Sequence, residues 1–404
     1  MTWSPVRTPN EDMHCAKCSV EGSMCGRPLV SSVSSRSKKR APGMRWVANS
    51  PRASRPMAGR YQDASITLTA GSRAASQPTE TSGGNLAQRP GLAPPPPPSP
   101  PPPPPSAPVP SYRRSMVAKF PPLVSVGWLA ARLPAVKVID ASWYLPAMGR
   151  DARGEFATQR IPGARFFDLD DTDDTSGLPH MLPSTEHFAQ CMSSLGVRTG
   201  DHVICYDGKG IFSAPRLWWM LRANGHPEAS VLDGGLPAWL AEGHPVDQAP
   251  TPPPLEGKPS EFAATLQPGA VWSMAQIQEN LQAAPGRRSL VVDARPAARF
   301  EGTAAEPRAD CRSGHIPGSR SLPFGHLLGE DGKMKPPERL QAAFDLAGVG
   351  TGAQLVASCG SGVTAAIISL ALAQLGRDDV PLYDGSWAEW GADAHTPVAT
   401  GPAE

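Results

Sequence analysis

The chain has no run of about 18 or more apolar residues, which argues against a membrane-spanning helix. Cysteine is sparse and irregular. Its seven residues, three of them before residue 26, follow no repeating spacing. That argues against a disulfide framework and for a reducing compartment, with free thiol chemistry left open. Residues 1–120 are poor in acids and short of large apolar side chains, holding 16 Lys and Arg against 5 Asp and Glu. Such a stretch cannot bury enough surface to offset its chain entropy, and it reads as a disordered basic extension. The other 284 residues hold 22 basic and 32 acidic side chains, so the net charge of +1 is a cancellation between tail and body. Neither part is built to grip nucleic acid.

Within the tail, Met1 to about Gly91 is rich in Arg and Ser and poor in acids, most clearly over Met44–Arg60. This is the balance of an organelle transit peptide, with a mitochondrion expected ahead of a plastid or the cytoplasm. The competing readings are an untargeted disordered leader, or a true start at Met44 or Met116. Pro94–Pro98 and Pro100–Pro105 form a nearly pure proline run, a stiff polyproline II spacer that could also meet an SH3-like module. His14, Cys15, Cys18 and Cys25 resemble half of a zinc site, but no second ligand pair follows at a suitable spacing. No resident metal or cofactor is expected.

What the body does have is an internal repeat. Four segments recur in the same order about 150 residues apart, the size of one domain. Val136–Trp143 (VKVIDASW) matches Leu290–Pro296 (LVVDARP), and Ile161–Asp168 (IPGARFFD) matches Ile316–Phe324 (IPGSRSLPF). His202–Ala214 (HVICYDGKGIFSA) matches Gln354–Ala366 (QLVASCGSGVTAA), and Val231–Trp239 (VLDGGLPAW) matches Leu382–Trp390 (LYDGSWAEW). Each is a short apolar strand leading to a turn or a helix, and buried strands alternating with helices imply parallel sheets covered on both faces. The expected architecture is two tandem α/β domains, 121–246 and 263–398, joined by a proline-rich linker over 247–262. An active site between them is then plausible.

One cysteine stands where chemistry is cheapest to build. Cys359 ends an apolar strand and is followed by Gly360, Ser361 and Gly362, then by a helix-forming run from Val363 to Leu375. Backbone N–H groups and a helix N-terminus there would favour a thiolate, and later a persulfide anion. The glycines let the backbone come close. The competing reading is a small buried cysteine at a tight turn. In the first half Asp207 takes the cysteine's place, so that half is expected to be catalytically silent, and Cys205 on the strand before it reads as packing.

The tandem repeat and the CGSGVTA loop together resemble the mercaptopyruvate sulfurtransferase branch of the rhodanese family, over roughly Pro122 to Val398. The resemblance implies two rhodanese-like domains and a ping-pong sulfur transfer through a Cys359 persulfide. The donor would be 3-mercaptopyruvate, or thiosulfate, and the acceptor a thiol, a thioredoxin-like protein or cyanide. A loop without Lys or Arg suits dianionic thiosulfate less well than the more basic CRKGVTA loop typical of thiosulfate users. The resemblance places donor binding on Arg299 and Arg308, beside the loop residues Gly360, Gly362, Val363 and Thr364, with Arg295 a near neighbour. It also implies a proton relay of Ser361, His180 and Asp170, against which stands a surface histidine among acids. Thr364 either faces the sulfur or caps the helix.

Three departures from the family pattern are visible: Arg160 in place of the first His-Ile-Pro-Gly histidine, a short turn at Asp207–Phe212, and Phe212 itself. Cysteine phosphatases share the turn but need an arginine six residues past the nucleophile, where this chain has Ala365. A non-catalytic persulfide carrier is the remaining alternative.

Overall fold

Two five-stranded sheets, parallel throughout and identical in strand order, organise the chain. The computed structural model describes residues 118–248, 250, 261–378 and 380–403, all within the unit Pro98–Glu404. The transit segment, the polyproline run, the CxxC pair and positions 251–260 of the linker lie outside the described residues.

The first half runs β1 (Leu123–Val124), α1 (Val126–Ala130), β2 (Lys137–Asp140), α2 (Ala152–Thr158), β3 (Arg165–Phe166), α3 (Thr185–Ser194), β4 (Val203–Tyr206), α4 (Ala214–Ala223), β5 (Ala229–Leu232) and α5 (Gly235–Ala241). The second runs β6 (Val271–Trp272), α6 (Met274–Gln282), β7 (Leu290–Asp293), α7 (Ala297–Phe300), β8 (Arg320–Ser321), α8 (Pro337–Leu346), β9 (Leu355–Ser358), α9 (Ala365–Gln374), β10 (Leu382–Tyr383) and α10 (Ser386–Trp390). The sheet orders, β1-β5-β4-β2-β3 and β6-β10-β9-β7-β8, superpose the repeat seen in the sequence onto space. All four residues of β4, β5 and β9 are buried, as strands covered on both faces require.

The halves meet through α4 and α9. Every residue of α4 is buried, as is Ala365–Leu372 of α9. Helices buried on all sides have no solvent face to offer, so their apolar residues form the centre of one continuous core. Polar contacts across the junction are reciprocal. Asp233 after β5 accepts the Met334 N–H at 2.9 Å, and its repeat mate Asp384 accepts the Leu182 N–H at 2.8 Å.

Arg160 has a structural explanation. It and its counterpart His315 are both buried, and each backbone pairs antiparallel with the chain leaving its half, at Asp247 and Ala399 respectively. Arg160 adds an ion pair to Asp247 at 3.4 Å, while His315 stacks on Phe300 with ring centroids 3.8 Å apart. Cys205 is fully buried, and burial pushes its thiol far up, in keeping with a packing role.

The Asp that ends β2 and its counterpart ending β7 differ in partner. Asp293 is held by Arg295, whereas Asp140 has only Ser142 and Tyr206, with Asp207 nearby, and burial raises its carboxyl to about 7. A raised acid contributes stability that is complete below its unfolded value of about 3.9 and is lost as pH rises through the folded one. Replacing it with the uncharged amide, Asp140→Asn, should therefore raise the urea midpoint more at pH 8 than at pH 5. An equal change at both pH values would contradict the assignment.

Candidate active site

The β9–α9 turn can be compared with its own duplicate. In the first half the Asp207 carboxylate gathers the amides of that turn, with Oδ2 accepting from Phe212, Ser213 and Ala214 at 2.8, 3.0 and 2.9 Å and Oδ1 from Lys209 at 2.9 Å. The turn is thus an anion-binding ring of N–H groups. In the second half Cys359 stands at that position, and the N–H groups from Gly360 to Thr364 donate to no acceptor among the described residues.

Several contacts shape the loop. The amides of Trp387 and Ala388, at the start of α10, bind the carbonyls of Cys359 and Gly360 at 3.0 and 2.8 Å. Ser386 Oγ accepts the Cys359 N–H at 3.3 Å and donates to the Tyr383 carbonyl at 2.8 Å. Gly362 has φ +77°, and a side chain there would lie 3.0 Å from Arg216 Nη1 and 3.1 Å from the Asp384 carbonyl, so only glycine suits the turn. Thr364 occupies the N-cap position but makes no capping bond, which removes the helix-capping reading of its hydroxyl.

Cys359 is only 1% exposed, more enclosed than a residue facing an open cleft. The clasp by α10 and the Arg299 guanidinium over Gly360 close it in. Nearby, the side chain of Asp170 is 60% exposed and that of Arg299 18%. Cavities of about 390, 490 and 590 Å³ share no residue with the loop, the first lying beside β2 and the last beside α8.

The three relay residues are brought together across the junction. His180 Nδ1 lies 3.0 Å from Ser361 Oγ, and its Nε2 lies 3.2 Å from Asp170 Oδ1. His180 is buried, with its ring edge-on to Trp143 at 4.4 Å, so the surface-histidine reading does not hold. The His180 hydrogen bond holds the Asp170 carboxyl below its ordinary range, against the opposing effect of burial. The tautomer with Nε2–H donating to that carboxylate is the one that would present an Nδ1 lone pair to the Ser361 hydroxyl.

Of the arginines, Arg299 is preset. Its Nε and Nη2 bind the buried Glu306, while Nη1 has no acceptor among the described residues. Arg308 is half-buried and likewise donates to no described residue. Arg295 is different, being fully enclosed by Asp293, Glu306 and the Gly314 carbonyl.

Sequence reasoning passed over Ser386, Glu306, Asp384 and Arg216. For Ser386 a signal was available, since the repeat sets Asp-Gly-Ser against Asp-Gly-Gly, and Ser386 keeps the left-handed φ of +50° that Gly235 adopts. Among the described residues, metal-type donors cluster at Asp171, His187 and Cys191, on α3 and the loop before it. There His187 Nε2 and the Cys191 thiol both pair with the Asp171 carboxylate.

The rhodanese-like domain family matches residues 125–242 and 273–393. The 3-mercaptopyruvate sulfurtransferase of Rattus norvegicus is 48% identical over 280 residues, covering 67% of this chain and 92% of the relative. The thiosulfate/3-mercaptopyruvate sulfurtransferase 1, mitochondrial, of Arabidopsis thaliana is 42% identical over 307 residues, covering 71% and 80%. Among solved structures, SseA from Escherichia coli, a 3-mercaptopyruvate sulfotransferase of rhodanese fold, aligns with a TM-score of 0.59 and 39% identity, over 66% of this chain and 99% of that one.

A duplicated parallel α/β scaffold that fills one amide ring with a carboxylate and leaves the other to a cysteine is that of a sulfur-carrying enzyme. The chain belongs to the rhodanese family. It is a sulfurtransferase, working between a sulfur donor and a thiol acceptor, and no helix among its described residues is long and apolar enough to cross a membrane.

Proposed function

We propose that Cys359 is the nucleophile of a 3-mercaptopyruvate sulfurtransferase. The observation carrying this is the run of amides from Gly360 to Thr364 that donate to no described residue, set against the duplicate turn of the first half, whose amides Asp207 gathers. The Cys359 thiolate attacks the donor sulfur, the carbon–sulfur bond breaks, and the electron pair leaves as pyruvate enolate. The enolate takes a proton through Ser361 and His180, with Asp170 keeping the imidazole in the tautomer that faces Ser361. The persulfide then passes its outer sulfur to a small dithiol, a thioredoxin-like protein or cyanide, which restores the thiolate.

Arg299 Nη1 and Arg308 receive the donor's carboxylate and keto oxygens. A planar guanidinium fixed on one edge by Glu306 is oriented before the donor arrives. Gly360, Gly362, Val363 and Thr364 supply backbone to the sulfur. The boundaries of the two rhodanese-like domains are taken as 121–246 and 263–398, with the first silent because Asp207 occupies its ring. The basic, acid-poor segment from Met1 to about Gly91, together with the mitochondrial designation of the Arabidopsis relative, supports a mitochondrial location. Import of a Met1–Gly91 reporter fusion into isolated mitochondria tests that.

Pyruvate release from 3-mercaptopyruvate should exceed thiocyanate formation from thiosulfate and cyanide by at least about tenfold in kcat/KM, because the loop offers thiosulfate no cation. Arg299→Ala should lower kcat/KM for 3-mercaptopyruvate by roughly 10- to 100-fold, the worth of a charge-assisted hydrogen bond. Faster turnover of thiosulfate, or an Arg299→Ala enzyme with unchanged kcat/KM, would overturn the donor assignment.

A further inference from the structure

His180 is one of two non-glycine residues in the described chain with positive φ, at +59°. A left-handed backbone at such a residue persists only where its surroundings hold it. The holding contact comes from α4. Arg216 Nη2 donates to the His180 carbonyl at 2.6 Å and, at the same distance, to Asp384 Oδ1 of the second half. The other oxygen of Asp384 accepts the Leu182 N–H at 2.8 Å, so one carboxylate holds the His180 loop directly at Leu182 and through Arg216 at His180.

Arg216 is 0% exposed, and its Nε and Nη1 are buried with no acceptor among the described residues. The Trp219 ring faces the guanidinium at 4.6 Å. A fully buried ion pair with unsatisfied donors is a poor device for stability alone, since apolar side chains of the same volume would serve better. Its geometry instead serves the loop, because Nη1 also lies against the Gly362 turn of the sulfur loop.

We propose that Arg216 is the positioning residue of the relay: paired with Asp384, it fixes the His180 backbone so that the imidazole meets Ser361, and it ties that alignment to the closure of one half on the other. The inference rests on the reading of His180 as the proton carrier. The groups that bear on the imidazole are Asp170 at Nε2, Ser361 at Nδ1, the Trp143 ring at its edge, and Arg216 with Asp384 behind its backbone.

The experiment is a double-mutant cycle on the full-length chain, following pyruvate release from 3-mercaptopyruvate as a function of pH. Arg216→Met should lower kcat at least about tenfold, leave KM within about twofold, and displace the limb of the kcat–pH profile that His180→Asn abolishes. In the His180→Asn background, Arg216→Met should cost less than about a further twofold, because its target is already gone. Should Arg216→Met melt below the assay temperature, the nearly isosteric Asp384→Asn is expected to lower kcat and move the profile in the same way. Equal fractional losses in both backgrounds, or an unmoved profile, would show that Arg216 acts independently of His180 and overturn the proposal. A His180→Asn enzyme with wild-type kcat and pH profile would remove the relay itself, and the proposal with it, while leaving the Cys359 chemistry standing.

Discussion

Cys359→Ser enzyme incubated with 3-mercaptopyruvate should show no mass gain of one sulfur atom, whereas the wild type should show one. Steady-state pyruvate release should fall by more than about 10⁴-fold, equivalent to ~5 kcal/mol of barrier. The size of the effect follows from the site. Serine fits the same enclosed position at the end of β9, so the fold and the amide ring survive. A hydroxyl at residue 359 cannot carry the transferred atom, and the loop holds no second thiol to take its place. Intact-mass spectrometry and a lactate dehydrogenase-coupled assay make the two measurements. Sulfur uptake by the serine variant would place the carrier on another thiol and end the assignment.

The second large effect concerns folding. Arg295 is 1% exposed; it donates to Asp293 Oδ2 through Nε at 2.9 Å and Nη2 at 2.6 Å, to Glu306 Oε1 at 2.8 Å and to the Gly314 carbonyl at 2.8 Å. Its guanidinium also lies 4.3 Å from the Trp387 ring centroid. Arg295→Met keeps much of the volume but leaves the buried Asp293 carboxylate without its cation and Glu306 with Arg299 alone. Breaking a buried pair from one side typically costs ~3–5 kcal/mol, far more than loss of a surface ion pair. Urea denaturation should register a loss of that order, and a loss below about 1 kcal/mol would mean that the network is solvated. The surviving enzyme should also bind its donor less well, since Glu306 orients Arg299 as well as Arg295.

These two residues differ in how far they could be read without coordinates. The four repeated segments foretold two parallel sheets because each pairs a short apolar strand with a turn or helix, and both sheets have one strand order. Cys359 stood out because the repeat set it opposite an aspartate in a Gly-rich turn. The relay needed the family resemblance, since nothing local connects His180 to a serine 181 positions away. Arg216 was hidden for a different reason. An arginine in the run Ala214–Ala223 looks like a charge on an amphipathic helix, and only the docking of α4 on α9 shows that no solvent face exists. Asp384 and Ser386 were legible as a strand-ending turn, but their partners lie in other segments, and pairwise contacts across a junction leave no periodic trace. The enclosure of Cys359, which the competing reading of a small buried cysteine allowed, arises from α10 and Arg299 closing over a loop that, taken alone, suggests openness.

The Asp207 carboxylate has one more consequence. Because it is tethered to the backbone it serves, its effective concentration at the first ring exceeds that of any dissolved oxyanion. Sulfite, sulfate or a product analogue added to the protein therefore meets one open turn among the described residues, and an inhibition curve should follow one-site stoichiometry despite the duplicated architecture.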